Sequence, residues 1–292
     1  METAVAPTDA GALEELTVTV GGHHHSALAA GPVSGELVLL LHGWPEFADA
    51  WTEQLHALGE AGYRALAVDQ RGYAAGARPD GVEHYRLDLL MSDVLAFAAD
   101  QGADRFHLIA RDWGGMVAWA IAAAHPDRLR SLTVLSTPHP SALRRAAATD
   151  DGQFHDLGYI RFFRRAVGKA ENYLLRDEAA QLRAVYNRRI PADFVERAVA
   201  RLSEPGALTA TLNWYRGATT DEFDIPAGRI KVPTLYLWGS EDPYLGQSAA
   251  EQTVHHIDAE YRFQIVEGAT QWMAMEVPDE VSAFLLDHLR RH

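Results

Sequence analysis

The 292-residue chain has a net charge of −14, with 48% hydrophobic and 23% charged residues, a balance typical of a folded chain and not of a disordered one. No Lys/Arg cluster offsets the acidic surface, which excludes a nucleic-acid partner as the natural expectation. There is no cysteine, so disulfides, thiolate metal sites and a cysteine nucleophile are ruled out.

The first residues, METAVAPTDAGALEEL, lack a basic segment followed by an apolar core, so no secretory signal is expected. The longest apolar helical stretch, GGMVAWAIAAA (114–124), is too short to span a bilayer. A cytoplasmic protein without a membrane partner is the expectation. His23–His25 lie between two strand-like runs, ELTVTV (15–20) and SALAAG (26–31), and read as a hairpin turn. Three adjacent side chains in a turn converge poorly on one ion, so neither a metal nor a cofactor is expected.

In chain order, ELVLLLHGW (36–44) is a continuous apolar run ending in a glycine turn, the pattern of a strand buried on both faces of a parallel sheet. WTEQLHALGEAG (51–62) reads as a helix stopped by glycine, YRALAVDQRG (63–72) as a second strand and RLDLLMSDVLAFAADQG (86–102) as a longer helix. RFHLIARD (105–112), GGMVAWAIAAAH (114–125) and LRSLTVLST (129–137) continue as strand, helix, strand. Short connections between alternating strands and helices predict βαβ crossovers.

From about 140 to 226 the text is helical, rich in Arg, Ala and aromatics. The alternation resumes with VPTLYLWG (232–239), a helix around 247–257, YRFQIVEG (261–268) and a closing helix from Asp279. The expectation is an α/β protein: a core in two parts, 1–139 and 227–292, interrupted by a helical cap at 140–226.

The third strand meets its helix across ARDWGG (110–115). A sharp strand-to-helix reversal needs small residues, here Ala110, Gly114 and Gly115, and pushes the middle side chain out beside a helix N-terminus. That side chain is Asp112. An aspartate at a helix start is often only a cap, but in this strand–turn–helix setting a carboxylate nucleophile is the stronger reading. A carboxylate attacks carbon electrophiles and forms an ester that water must then cleave. HGWPEF (42–47) can turn the Trp44 N–H toward the same point as the Trp113 N–H, giving an oxyanion hole; the alternative is a plain Gly-Pro loop. His42 reads as a brace for that loop.

HGWPEF, DQRGY (69–73), RDWGG (111–115) and WGSED (238–242), in this order, resemble the α/β-hydrolase superfamily in its epoxide hydrolase and haloalkane dehalogenase branch. The similarity runs from about residue 15 to the end. It implies the α/β-hydrolase fold, a mostly parallel doubly wound sheet with an inserted cap, and a small organic electrophile such as an epoxide as substrate; a homodimer is left open. LGYIRFF (157–163) and LNWYRG (212–217) resemble the cap segments that project tyrosines over the nucleophile, which points to Tyr159 and Tyr215 as ring-opening acids. Packing is the usual job of such aromatics, and the match around Tyr159 is the looser one. Trp44, Trp113, Tyr159 and Tyr215 would contact substrate. In the dehalogenases a halide donor occupies the place of Trp44, so a dehalogenase-like enzyme is an alternative.

The acid of the triad matches Asp242, with Glu241 a weaker neighbour. The base histidine should follow the last strand, but the chain reads Gly268-Ala269-Thr270-Gln271-Trp272. A carboxamide does not accept a proton near neutral pH. Alkylation of Asp112 needs no histidine; hydrolysis of the ester does. Three readings follow: a base-deficient hydrolase that traps its alkyl-enzyme; a replacement base, either Asp242 acting through water or His139 from the cap hinge; or a scaffold repurposed for non-hydrolytic chemistry or for binding a specialised metabolite. Arg111 stands where the family commonly has histidine, and its strand direction points it away from the pocket, as a structural residue. No Ser occupies the elbow, which disfavours an esterase.

Overall fold

A computed structural model of the chain describes residues 11–149, 157–218 and 228–292. Eight strands form one sheet in the order β1-β2-β4-β3-β5-β6-β7-β8. They are β1 (Glu14–Val20), β2 (His23–Ala30), β3 (Leu37–Leu41), β4 (Arg64–Val68), β5 (Phe106–Arg111), β6 (Leu129–Leu135), β7 (Thr234–Gly239) and β8 (Tyr261–Val266). β2 is antiparallel to both of its neighbours, β1 and β4; from β4 to β8 every pairing is parallel.

The apolar runs are strands because helices cover both faces, so both side-chain sets must be apolar. In β3, Leu37, Leu39 and Leu41 enter one core, with α2 (Leu87–Asp100) and α3 (Asp112–Ala124). Val38 and Leu40 enter the other, with α1 (Thr52–Glu60) and the closing helix, Pro278–Leu289. The same period of two sends Leu108 and Ala110 of β5 to the first face and Ile109 to the second.

Between β6 and β7 the described residues form helices only: α4 (Pro140–Thr149), α5 (Gly158–Phe163), α6 (Lys169–Arg183, interrupted at Arg176–Ala179), α7 (Ala192–Leu202) and α8 (Ala207–Gly217). This insert lies on the loops that leave the carboxyl ends of the strands. Tyr186 donates to the Pro45 carbonyl, Arg201 pairs with Asp69, and the Trp214 indole donates to the Arg71 carbonyl at 2.8 Å. The end assigned to the cap, residue 226, lies outside the described residues.

Two expectations need correction. The turn between β1 and β2 is Gly21-Gly22, both at positive φ, and His23–His25 begin β2. Two adjacent glycines reverse the chain more cheaply than bulkier residues, so the histidines are free to pair with β1. His25 is buried and bonded to the Asp69 carbonyl at 3.0 Å. The helix expected around 247–257 is α9 (Gln247–Gln252) followed by a 3-10 turn, and a short helix α10 (Met273–Glu276) precedes α11 (Pro278–Leu289).

A Cβ on Gly114 would lie 2.6 Å from the Leu41 carbonyl oxygen and 2.7 Å from that of His42. Backbone cannot yield as a side-chain end does. Gly114→Ala is therefore expected to destabilise the fold by about 1–3 kcal/mol, read as a lowered thermal midpoint by circular dichroism.

Candidate active site

The elbow is built as its small residues require. Asp112 is the first residue of α3 and sits at φ +50, a left-handed conformation that non-glycine residues rarely adopt. Such strain persists where surrounding structure over-determines it. The surroundings here are tight: a Cβ on Gly43 would meet the Asp112 Cβ at 2.2 Å, and one on Gly115 would meet Thr137 at 2.9 Å. The loop after β3 must therefore carry glycine at 43 for the Asp112 side chain to exist there at all.

The Trp44 N–H donates to Asp112 Oδ1 at 2.7 Å, and the Trp113 N–H is the second backbone donor to the same carboxylate. The peptide Trp44–Pro45 is cis. Burial raises the Asp112 pKa; the nearby Arg111 cation and the two amide donors oppose that rise. His42 braces the loop as expected from its sequence context. It bonds the Gly43 carbonyl at 2.9 Å and receives the Gln70 N–H at 3.2 Å. Burial takes its pKa down to about 3, so it is neutral and its ring is committed.

In front of Asp112 lies a cavity lined by Trp113, Met116, Leu157, Tyr159, Tyr215 and Gln271 among others. A second space shares Asp112, Tyr159, Tyr215 and Gln271 and adds Trp44 and Phe163. Tyr159 comes from α5 and Tyr215 from α8. Their rings are 6.2 Å apart edge to face, and Tyr215 also stands edge-on to Trp113 at 5.0 Å. Burial, then the negative charge of Asp112 and neighbouring phenols, holds both hydroxyls protonated well above the usual tyrosine range. They are donors at any ordinary pH.

Asp242 follows β7. Its Oδ1 accepts the Tyr244 and Leu245 N–H groups at 2.9 and 3.0 Å, and its Oδ2 accepts the Ser136 hydroxyl. Burial nevertheless raises its pKa to about 6. Glu241 points elsewhere and pairs on the surface with Arg189. Gln271 lines both spaces beside Asp112. Its loop is pinned by Glu276, which accepts the Thr270 N–H at 2.7 Å and the Thr270 hydroxyl at 2.8 Å. The Asn187 amide of the insert joins them, reaching Thr270 Oγ1 at 2.9 Å.

His139 is not brought to the site. It stacks on His256 at 4.4 Å, donates to the Gly228 carbonyl and accepts the Ser141 N–H, and it lines neither space. Its expectation as a replacement base is withdrawn: both ring nitrogens are spent on holding α4 to the segment after the insert.

Two residues near Asp112 escaped the sequence reading. Glu46, inside HGWPEF, is buried against Arg111 at 3.0 Å, and Tyr244 lines both spaces. Glu46 lies inside a recognised motif and Tyr244 two residues beyond WGSED, yet nothing in their local pattern distinguishes a buried or cavity-facing side chain from a loop residue.

A profile of the alpha/beta hydrolase fold family matches residues 36–276. The chain is 34% identical to the AB hydrolase superfamily protein YfhM of Bacillus subtilis, over 90% of this chain and 93% of that one. It is 31% identical to epoxide hydrolase A of Mycobacterium tuberculosis, over 96% and 98%. The crystal structure of epoxide hydrolase A from Mycobacterium thermoresistibile superposes with a TM-score of 0.83 at 29% identity, covering 96% of this chain and 98% of that one. The chain belongs to the α/β-hydrolase fold family, in its epoxide hydrolase branch. Among the described residues, no helix is long and apolar enough to cross a membrane.

Proposed function

We propose that the protein opens epoxides by attack of Asp112 on a ring carbon, forming an alkyl-enzyme ester, and that Gln271 leaves the following hydrolysis slow. The observation that carries this reading is a half-buried carboxylate with one oxygen bound by the Trp44 amide, facing a cavity with two protonated phenols across it. With Oδ1 held, Oδ2 is the attacking atom. The C–O bond of the ring breaks as the new ester C–O bond forms, and the released alkoxide takes a proton from Tyr159 or Tyr215. In the second step water must attack the ester carbonyl, whose oxygen stays under the Trp44 and Trp113 amides. Asp242 is the group left to orient that water.

Support comes also from the relatives whose names record epoxide hydrolases. The test is intact-mass spectrometry after incubation with a panel of aryl and alkyl epoxides. An adduct that accumulates on Asp112 is the expected result; no adduct and no diol from any epoxide would refute the reading. Tyr215→Phe is expected to slow adduct formation by about 10²-fold through loss of a proton donor, with Tyr159→Phe acting in the same direction, measured by the same mass assay under single-turnover conditions.

A second reading is favoured by Gln271 itself. Among the described residues lining the two spaces no histidine is found, so the pocket suits binding or rearranging a metabolite without water. It predicts specific ligand binding that survives Asp112→Asn.

A further inference from the structure

We propose that Gln271 sets specificity: its carboxamide recognises an uncharged oxygen substituent, a hydroxyl or a carbonyl, carried one carbon away from the epoxide ring. The inference rests on the epoxide reading above for the ring, and on the shape and polarity of the site for the substituent.

The segment around Gln271 is fixed through its backbone and its neighbours. Glu276 accepts the Thr270 N–H and hydroxyl, the Thr270 hydroxyl oxygen accepts the Trp272 N–H at 3.2 Å, and Arg111 Nη1 donates to the Gln271 carbonyl at 3.3 Å. The Met273 N–H returns to the Thr270 carbonyl at 3.2 Å as α10 begins. None of these bonds uses the Gln271 side chain. That side chain lines both spaces, belongs to a residue only 7% exposed, and makes no hydrogen bond to a described residue. A carboxamide offers two N–H donors and a carbonyl acceptor. Enclosing such a group without a partner is unfavourable, so a ligand atom that bonds it gains more than it would on an open surface. The backbone beneath it is already ordered, so little freedom is lost when the bond forms.

Position narrows the ligand. Among the described residues, the two spaces share Asp112, Tyr159, Tyr215, Tyr244 and Gln271. Gln271 therefore stands at the reacting centre, where the spaces meet, and not at the far end of either. A group bonded to it must lie close to the carbon that Asp112 attacks. Farther out the walls are apolar: Met116, Leu143 and Ile160 in one space, Phe163 and Val185 in the other. Apart from the indoles of Trp44 and Trp113, the polar side chain there is Thr137, whose hydroxyl donates to the Asp112 carbonyl at 3.4 Å. No Lys, Arg or His lines either space among the described residues, so an anionic substituent would be desolvated without a counter-charge. An uncharged oxygen beside the ring, with apolar chains beyond it, meets all of these conditions.

The test compares a dialkyl epoxide with two relatives of the same length, one bearing a hydroxymethyl and one an acyl group on the ring. Adduct formation is followed by intact mass under single-turnover conditions in the parent protein and in Gln271→Met, which keeps length and volume but cannot hydrogen-bond in kind. Taking the parent-to-variant ratio for each epoxide cancels its intrinsic reactivity. The ratio is expected to be larger for both oxygenated epoxides than for the dialkyl one by roughly tenfold or more, the scale of a hydrogen bond lost inside a site. A packing role for Gln271 would lower all three alike. Binding of the matching alkenol and alkene, which cannot alkylate Asp112, is measured by tryptophan fluorescence and should show the same selective loss. Should the methionine variant not keep its circular dichroism spectrum, Gln271→Leu takes its place. Adducts that form with equal ratios for all three epoxides would overturn the proposal and leave the epoxide reading standing. Selective loss of alkenol binding with no adduct from any epoxide would sustain recognition by Gln271 and overturn the epoxide reading instead.

Discussion

Asp112→Asn is expected to lower the rate of adduct formation from epoxides by about 10³-fold or more, the scale on which loss of a covalent nucleophile is normally felt. The side chain keeps its shape, so Gly43 and the amides of Trp44 and Trp113 can still pack and bond as before. What disappears is the charged oxygen. Burial already disfavours the ionised form of Asp112, so the asparagine variant removes an unfavourable desolvated charge. Its thermal midpoint should be unchanged or higher. A variant that is stable yet unreactive separates a catalytic loss from a folding loss; one that alkylates as fast as the parent would show that the carboxylate is only a helix cap.

Gln271→His is expected to raise diol release by about 10²-fold or more, the range for adding a positioned general base, and to stop the adduct from accumulating. The position is suited to it. Gln271 borders both spaces with Asp112, and Glu276 and Asn187 hold its loop through Thr270. Asp242 still has lone pairs to receive the imidazole N–H, although Ser136, Tyr244 and Leu245 already donate to it. The pH dependence follows in sign from that carboxylate. Burial raises the Asp242 pKa to about 6; the orienting charge is present above that pH and lost as pH falls through it. The introduced imidazole is a base only when neutral, and the Asp242 carboxylate beside it raises its pKa, so the acid limb of diol release should lie at or above the ordinary histidine value of about 6.5. Stopped-flow or quenched-flow diol assays between pH 5 and 8 check both the rise and the limb. If the gain were absent while adduct still formed, the scaffold would lack more than its base.

The sheet was legible because both of its faces are covered. β3 is apolar throughout, and β4 and β5 carry apolar runs at 65–68 and 108–110; such runs near glycine turns leave little choice of structure. The elbow was legible for a related reason: only small residues tolerate backbone oxygens at 2.6 Å from a would-be Cβ, so Gly114 signals the reversal directly. The triple histidine misled because a polar cluster between strands imitates a turn, while the two glycines just before it satisfy positive φ.

His139 and Arg111 show a different limit. Both follow or end central strands, and the chain text holds nothing to say that one imidazole is spent on Gly228 and Ser141 while one guanidinium reaches Gln271, 160 positions later. Glu46 is the same case, a motif residue whose burial against Arg111 depends on β3 and β5 lying side by side.

Residue identity by itself therefore determined the class of fold, the presence of a carboxylate at the strand-to-helix reversal, and the lack of a proton-accepting side chain at position 271, since each is set by local sterics or by the chemistry of one side chain. Tertiary structure alone decided which charges face that carboxylate, which tyrosines reach across the cavity, and which histidine stays out. Electrostatic energy depends on distance and on exclusion of water, and both quantities come into being only when segments far apart in the chain are packed together.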